Sequence, residues 1–134
     1  MKYVLEMNEE QAAIVQKALE FYARMRMGQW GELPGICIDI RDSDYCEKEE
    51  YMKPLLELAR RKAYPELAHA FGHSYGVGKF EDADYAWETY TAIRHCRAWA
   101  KHPAGGWTED FDKPWAMHGH ELARCTAVKE ANDG

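Results

Sequence analysis

The sequence is poor in the features that usually announce an activity. Its four cysteines (Cys37, Cys46, Cys96 and Cys125) are scattered with no CxxC pair. That argues against a disulfide scaffold and fits thiols that are reduced and often buried. No run approaches the ~20 apolar residues of a membrane span. The opening MKYVLEMNEE lacks the apolar core of a signal peptide. Basic residues are outnumbered, giving a net charge of −6, which argues against a general grip on a nucleic-acid polymer. The sequence therefore predicts a soluble protein of the cell interior, with neither a membrane nor a nucleic-acid polymer as partner.

What is present suits one folded domain over residues 1–134. The hydrophobic share is 46% and the aromatic share 13%, well above a disordered chain. Residues 2–7 read as a short strand. Asn8 and Gln11 have capping-box spacing, and a helix follows to about Met27, ended by Gly28. Residues 36–40 suit a buried strand, although five residues do not decide between strand and helix. A second helix is expected from Tyr45 to Ala63, kinked or split at Pro54, with Leu55, Leu56, Leu58 and Ala59 as its apolar stripe. Pro65 begins a short helical turn through Ala70. The third long helix starts at Glu81 with an acidic first turn and stops before Pro103. Its inward face should be Ala86, Tyr90, Ile93 and Ala100. Residues 124–129 would form a strand beside residues 2–7. The fold class predicted is α+β, mainly helical, with three substantial helices and a small sheet from the terminal segments.

Residues 71–111 concentrate the candidate site: a glycine-punctuated loop, a long helix and a second glycine-tryptophan loop in direct succession. In the first loop Ser74, Tyr75, Gly76 and Gly78 offer backbone N–H groups and mobility to a ligand. It is not a P-loop: the GxxxxGK[ST] spacing is missing, and acidic residues fill the next helical turn. On the helix, Tyr90, Arg94 and Arg97 lie three to four residues apart and share a side. A ring beside planar guanidiniums suits a nucleotide, one group stacking on the base and another pairing with phosphate. The plainer reading is a core tyrosine beside arginines paired with Asp or Glu on a solvated face. Gly105 and Gly106 then let Trp107 serve as a stacking platform or a core plug.

The segments NEEQAAIVQKALEFYARMRMGQW, HSYGVG and DADYAWETYTAIRHCRAWAKHPAGGWTEDFDKP resemble a family of small accessory proteins carried by phages and prophages. The resemblance covers most of the chain, least so residues 36–51 and those after Pro114. It implies expression in a host bacterial cytoplasm and a role in blunting host defence, by binding an immune protein or by sequestering or destroying a nucleotide signal. No catalytic residue carries over.

Catalytic signatures are missing as well. Ser74 follows His73 without a GxSxG elbow. His69 and His73 stand four apart without the HExxH glutamate, and His118 and His120 flank a glycine. Asp39, Asp42 and Asp44 lack calcium-loop spacing. No metal, cofactor or catalytic residue is assigned. The aromatic surplus of Trp30, Trp87, Trp99, Trp107 and Trp115 points to self-association as a homo-oligomer. The function expected is capture of a small nucleotide-type immune signal by Ser74, Tyr75, Gly76, Gly78, Tyr90, Arg94, Arg97 and Trp107. The alternatives are a protein-binding inhibitor of a host defence enzyme and a small hydrolase of the signal.

Overall fold

The computed structural model describes residues 1–67, 73–117 and 121–130. Its elements are α1 (Glu9–Arg26), α2 (Leu33–Cys37), α3 (Tyr45–Ala63) and α4 (Glu81–Lys101), with single 3-10 turns at Trp30–Glu32 and Glu109–Phe111. No strand occurs among the described residues, so the expected α+β class with a terminal sheet is corrected to an all-helical one. The physical reason is the lack of a ladder. Tyr3, Val4 and Leu5 are 88%, 94% and 72% exposed, and residues 121–130 are irregular too. A strand pair with no third strand or helix under it has too little burial to hold its register. The two segments touch instead through an ion pair between Lys2 and Glu121 at 3.6 Å, which is exposed and weak. At Ile36 and Cys37, where the sequence left strand and helix open, the chain is helical and closes α2, whose first turn is set by Pro34.

The chain divides into two compact units. The first is Phe21–Asp84. There α1 ends as expected at Gly28, which has φ 89°. Gln29 N–H donates to Arg24 O at 2.8 Å and Gly28 N–H to Met25 O at 3.1 Å. These are the two bonds of a left-handed helix cap, a conformation that favours glycine. α3 runs through Pro54 as one helix and buries Glu57 and Arg60. Arg60 is 1% exposed. Its Nε donates to Glu57 Oε2 at 3.0 Å, its Nη2 to Oε1 at 3.2 Å and its Nη1 to His73 O at 2.9 Å. Those bonds hold the Glu57 carboxyl below its ordinary range, with desolvation working against them. The expected apolar stripe lies on the other side: Leu55 and Leu58 are 55% and 60% exposed and Leu56 is half-buried. Trp30, Tyr64, Tyr75 and Phe80 pack edge to face in series, with centroids 5.9, 5.6 and 5.1 Å apart, an arrangement the ring quadrupoles favour.

The second unit comprises Met1–Glu20 and Tyr85–Gly134. The capping box forms as read: Gln11 N–H donates to Asn8 Oδ1 at 2.8 Å and Asn8 N–H to Gln11 Oε1 at 3.0 Å. α4 buries Ala86, Glu88, Tyr90, Ala92 and Ile93 here. Ala100, expected inward, is exposed. Glu88 accepts the backbone N–H of Met117, tying the segment after the second 3-10 turn onto α4. The turn expected from Pro65 to Ala70 lies partly outside the described residues.

Two stability changes follow. Arg60→Ala strands the Glu57 carboxylate in a buried site and should cost ~3 kcal/mol in urea unfolding. Gly28→Ala should cost roughly 1–2 kcal/mol, because its Cβ would stand 2.9 Å from Leu67 Cδ1 at a positive φ.

Candidate functional site

The eight residues singled out in the sequence fall in different units. Ser74, Tyr75, Gly76 and Gly78 belong to Phe21–Asp84, whereas Tyr90, Arg94, Arg97 and Trp107 belong to the other unit. Each group is built by its own neighbours.

The loop is anchored at Tyr75. Its N–H donates to Met27 O at 2.9 Å, and its ring sits between Tyr64 and Phe80. Ser74 Oγ accepts from Gln29 Nε2 at 3.4 Å. Gly76 and Gly78 have φ of 74° and 93°, and a Cβ on either would meet nothing within 4 Å. Glycine is therefore needed for the turn itself and not for space. The Gly78 N–H donates to Asp84 Oδ1 at 2.8 Å, and Asp84 is fully buried. A carboxylate from the first turn of α4 thus occupies the amide that a phosphate would use.

The arginines show the same pattern. Arg94 Nη1 donates to the Tyr90 hydroxyl at 3.0 Å, with the guanidinium 5.0 Å from the ring centroid. It also pairs with Glu109 at 3.5 Å and Asp110 at 3.4 Å. Arg97 turns to α1, where its Nε donates to Glu9 at 3.0 Å and its Nη1 to Gln16. Lys101 joins Glu9 at 2.7 Å. Arg94 is 15% and Arg97 20% exposed, so both are largely covered cations with carboxylate partners. The hydrogen bond from Arg97 and then that from Lys101 draw the Glu9 carboxyl down from 4.5 to about 2.

The glycine-tryptophan loop has a clear construction. Trp99 Nε1 donates to Phe111 O at 3.2 Å, and the two rings meet edge to face at 5.5 Å. Gly105 approaches Trp99 and Gly106 approaches Phe111 so closely that added Cβ atoms would lie 3.1 and 2.3 Å from the rings. The pinned turn leaves Trp107 wholly exposed, and Trp115 is 66% exposed. Trp107 is thus no core plug. Glu109, Asp110 and Asp112 stand between the two indoles in sequence.

Several features had no sequence signal. The partners of Arg97 and Gly78 are set by long-range packing and helix phase. Cys96 and Cys125 share a thiol hydrogen bond, and burial followed by that bond pushes the Cys125 thiol up to about 12. A thiol held protonated is a poor nucleophile. An open, apolar groove of about 510 Å³ lies on Phe21–Asp84, lined by Tyr22, Met25, Arg26, Trp30, Leu56 and Tyr64 among others. Its polar groups are engaged: Tyr22 Oη donates to Asp82 at 2.7 Å and Arg26 Nε to Asp82 at 3.1 Å.

Among the described residues no three His, Cys, Asp or Glu side chains converge as a metal site. His69, His118 and His120 lie outside those residues. No described helix is long and apolar enough to cross a membrane. No protein-family model, curated protein or solved structure matches the chain.

Two measurements check this geometry. A carboxyl NMR titration should place the Glu9 midpoint near 2, and Arg97→Gln should return it towards 4.5. Because the folded value is depressed, the contribution of this pair to stability is complete above the unfolded value and is lost as pH falls towards 2. Gly106→Ala should drive the Phe111 ring off Trp99 at a cost of ~2 kcal/mol, seen as a loss of near-UV aromatic dichroism.

Proposed function

We propose that the protein works by binding, without catalysis, and docks on another protein through the acidic, aromatic surface of residues 107–115. One observation carries this reading: Trp107 is wholly exposed, on a turn that the packing of Trp99 against Phe111 holds rigid. Indoles are preferred anchors at interface centres, and a rigid presentation lowers the entropy lost on binding. The carboxylates of Glu109, Asp110 and Asp112 select a partner whose contact surface is cationic around an apolar pocket. The resemblance to phage accessory proteins supports a component of bacterial defence as that partner.

A second reading is capture of a small nucleotide-type ligand. The bare indole of Trp107 belongs to the same turn as Glu109 and Asp110, which hold Arg94. A base would stack on Trp107 while its phosphate displaced those carboxylates from the guanidinium. Protein docking is favoured because it uses the carboxylates as they stand, whereas the nucleotide must first break two ion pairs.

Pull-down from a bacterial lysate with the wild type and a Trp107→Ala/Asp110→Lys variant separates the readings. The first expects a stoichiometric protein retained by the wild type and lost from the folded variant. Absence of any such protein, with calorimetric binding of a cyclic or ADP-ribose-type nucleotide that Arg94→Ala abolishes, would establish the second.

A further inference from the structure

α3 leaves part of its apolar surface on the outside. The side it buries carries Glu57 and Arg60, whereas Tyr51, Leu55 and Leu58 are 73%, 55% and 60% exposed. These three stand at i, i+4 and i+7, so they form one stripe along the helix. Glu47 extends the stripe by one turn at its amino end and Lys62 by one turn at its carboxyl end.

The order of those charges says what covers the stripe. Among the described residues neither Glu47 nor Lys62 has an ion-pair partner within the chain. Neighbouring cations are already committed: Lys48 to Asp44, Lys53 to Glu49 and Arg61 to Glu57. The stripe therefore reads acidic end, apolar centre, basic end. An antiparallel copy of the same helix presents the reverse order. With a two-fold axis between residues 54 and 55, Glu47 faces Lys62 of the second copy, Tyr51 faces its Leu58, and the two Leu55 side chains meet at the centre. Within one chain Glu47 and Lys62 are separated by about 22 Å of helix, at 1.5 Å per residue, which no side-chain pair spans.

We propose that a second copy of this chain covers the stripe, in an antiparallel α3-to-α3 homodimer with Tyr51, Leu55 and Leu58 as its apolar centre and Glu47 with Lys62 as its reciprocal ion pairs. Such an interface is isologous, each patch serving as its own complement. It spans about 28 Å, the length of a 19-residue helix. A single helix pair falls at the low end of stable interface size, so the dimer forms in a concentration-dependent way. The proposal uses no residue of the 107–115 surface and stands or falls separately from the function proposed above.

Sedimentation equilibrium over a concentration series tests it, with circular dichroism confirming unchanged helix content. The wild type should rise from monomer to dimer mass. Leu58→Glu, at an exposed position, should remain monomeric. Glu47→Lys alone and Lys62→Glu alone should each weaken association about tenfold, and the double variant should recover it, because the pairs are restored only between chains. A wild type that stays monomeric throughout, a Leu58→Glu variant that still associates, or a double variant weaker than either single change would overturn the proposal.

Discussion

The guanidinium of Arg60 is the group on which the unit Phe21–Asp84 depends. Among the described residues it is the largest fully buried side chain, and it donates twice to Glu57 on its own helix and once to the carbonyl of His73. Burying a cation is unfavourable unless its charge is balanced and its protons are taken up. Meeting that condition fixes the rotation of α3 and fixes the start of the 74–78 loop. Once the inward side of α3 is given to an ion pair, Tyr51, Leu55 and Leu58 of the same helix have only the outward side left. The exposed stripe is thus a consequence of the buried charge.

A second constraint runs through both units. Three of the groups that the sequence offers to an anion are met by a carboxylate from the chain itself: Gly78 N–H by Asp84, Arg94 by Glu109 and Asp110, Arg97 by Glu9. An acidic chain supplies such partners readily, and although the carboxylates of Glu9, Glu109 and Asp110 are exposed, the arginines they meet are largely covered, where the attraction is less screened than between two exposed charges. The aromatic groups are treated differently. Trp30, Tyr64, Tyr75 and Phe80 stack into one core series, while Trp107 and Trp115 are left outside. The apolar and acidic surface is thus what the fold leaves exposed, while the largely covered cations are used within it.

The features legible in the sequence were those settled within a few residues. The Asn8 and Gln11 capping box, the Gly28 helix stop and the span of α3 depend on local backbone geometry and appear where the spacing placed them. The sheet failed because strand pairing is a long-range property, and residues 2–7 found no ladder partner in residues 121–130. The stripe of α3 was legible as a stripe but not as to its side, since a run containing both Leu58 and Arg60 can bury either. For Arg97 the pattern on α4 gave the cation and could not give Glu9, which stands 88 positions earlier.

The two surfaces proposed above would reinforce one another through valency. Chains joined through α3 carry two copies of the 107–115 segment, so a partner that is itself oligomeric meets a divalent binder. The second contact is then intramolecular, with an effective concentration that typically reaches the millimolar range for short connections. A single turn bearing one or two indoles is a small surface and binds weakly alone. Doubling such a surface in the proposed dimer would raise avidity without any new contact chemistry.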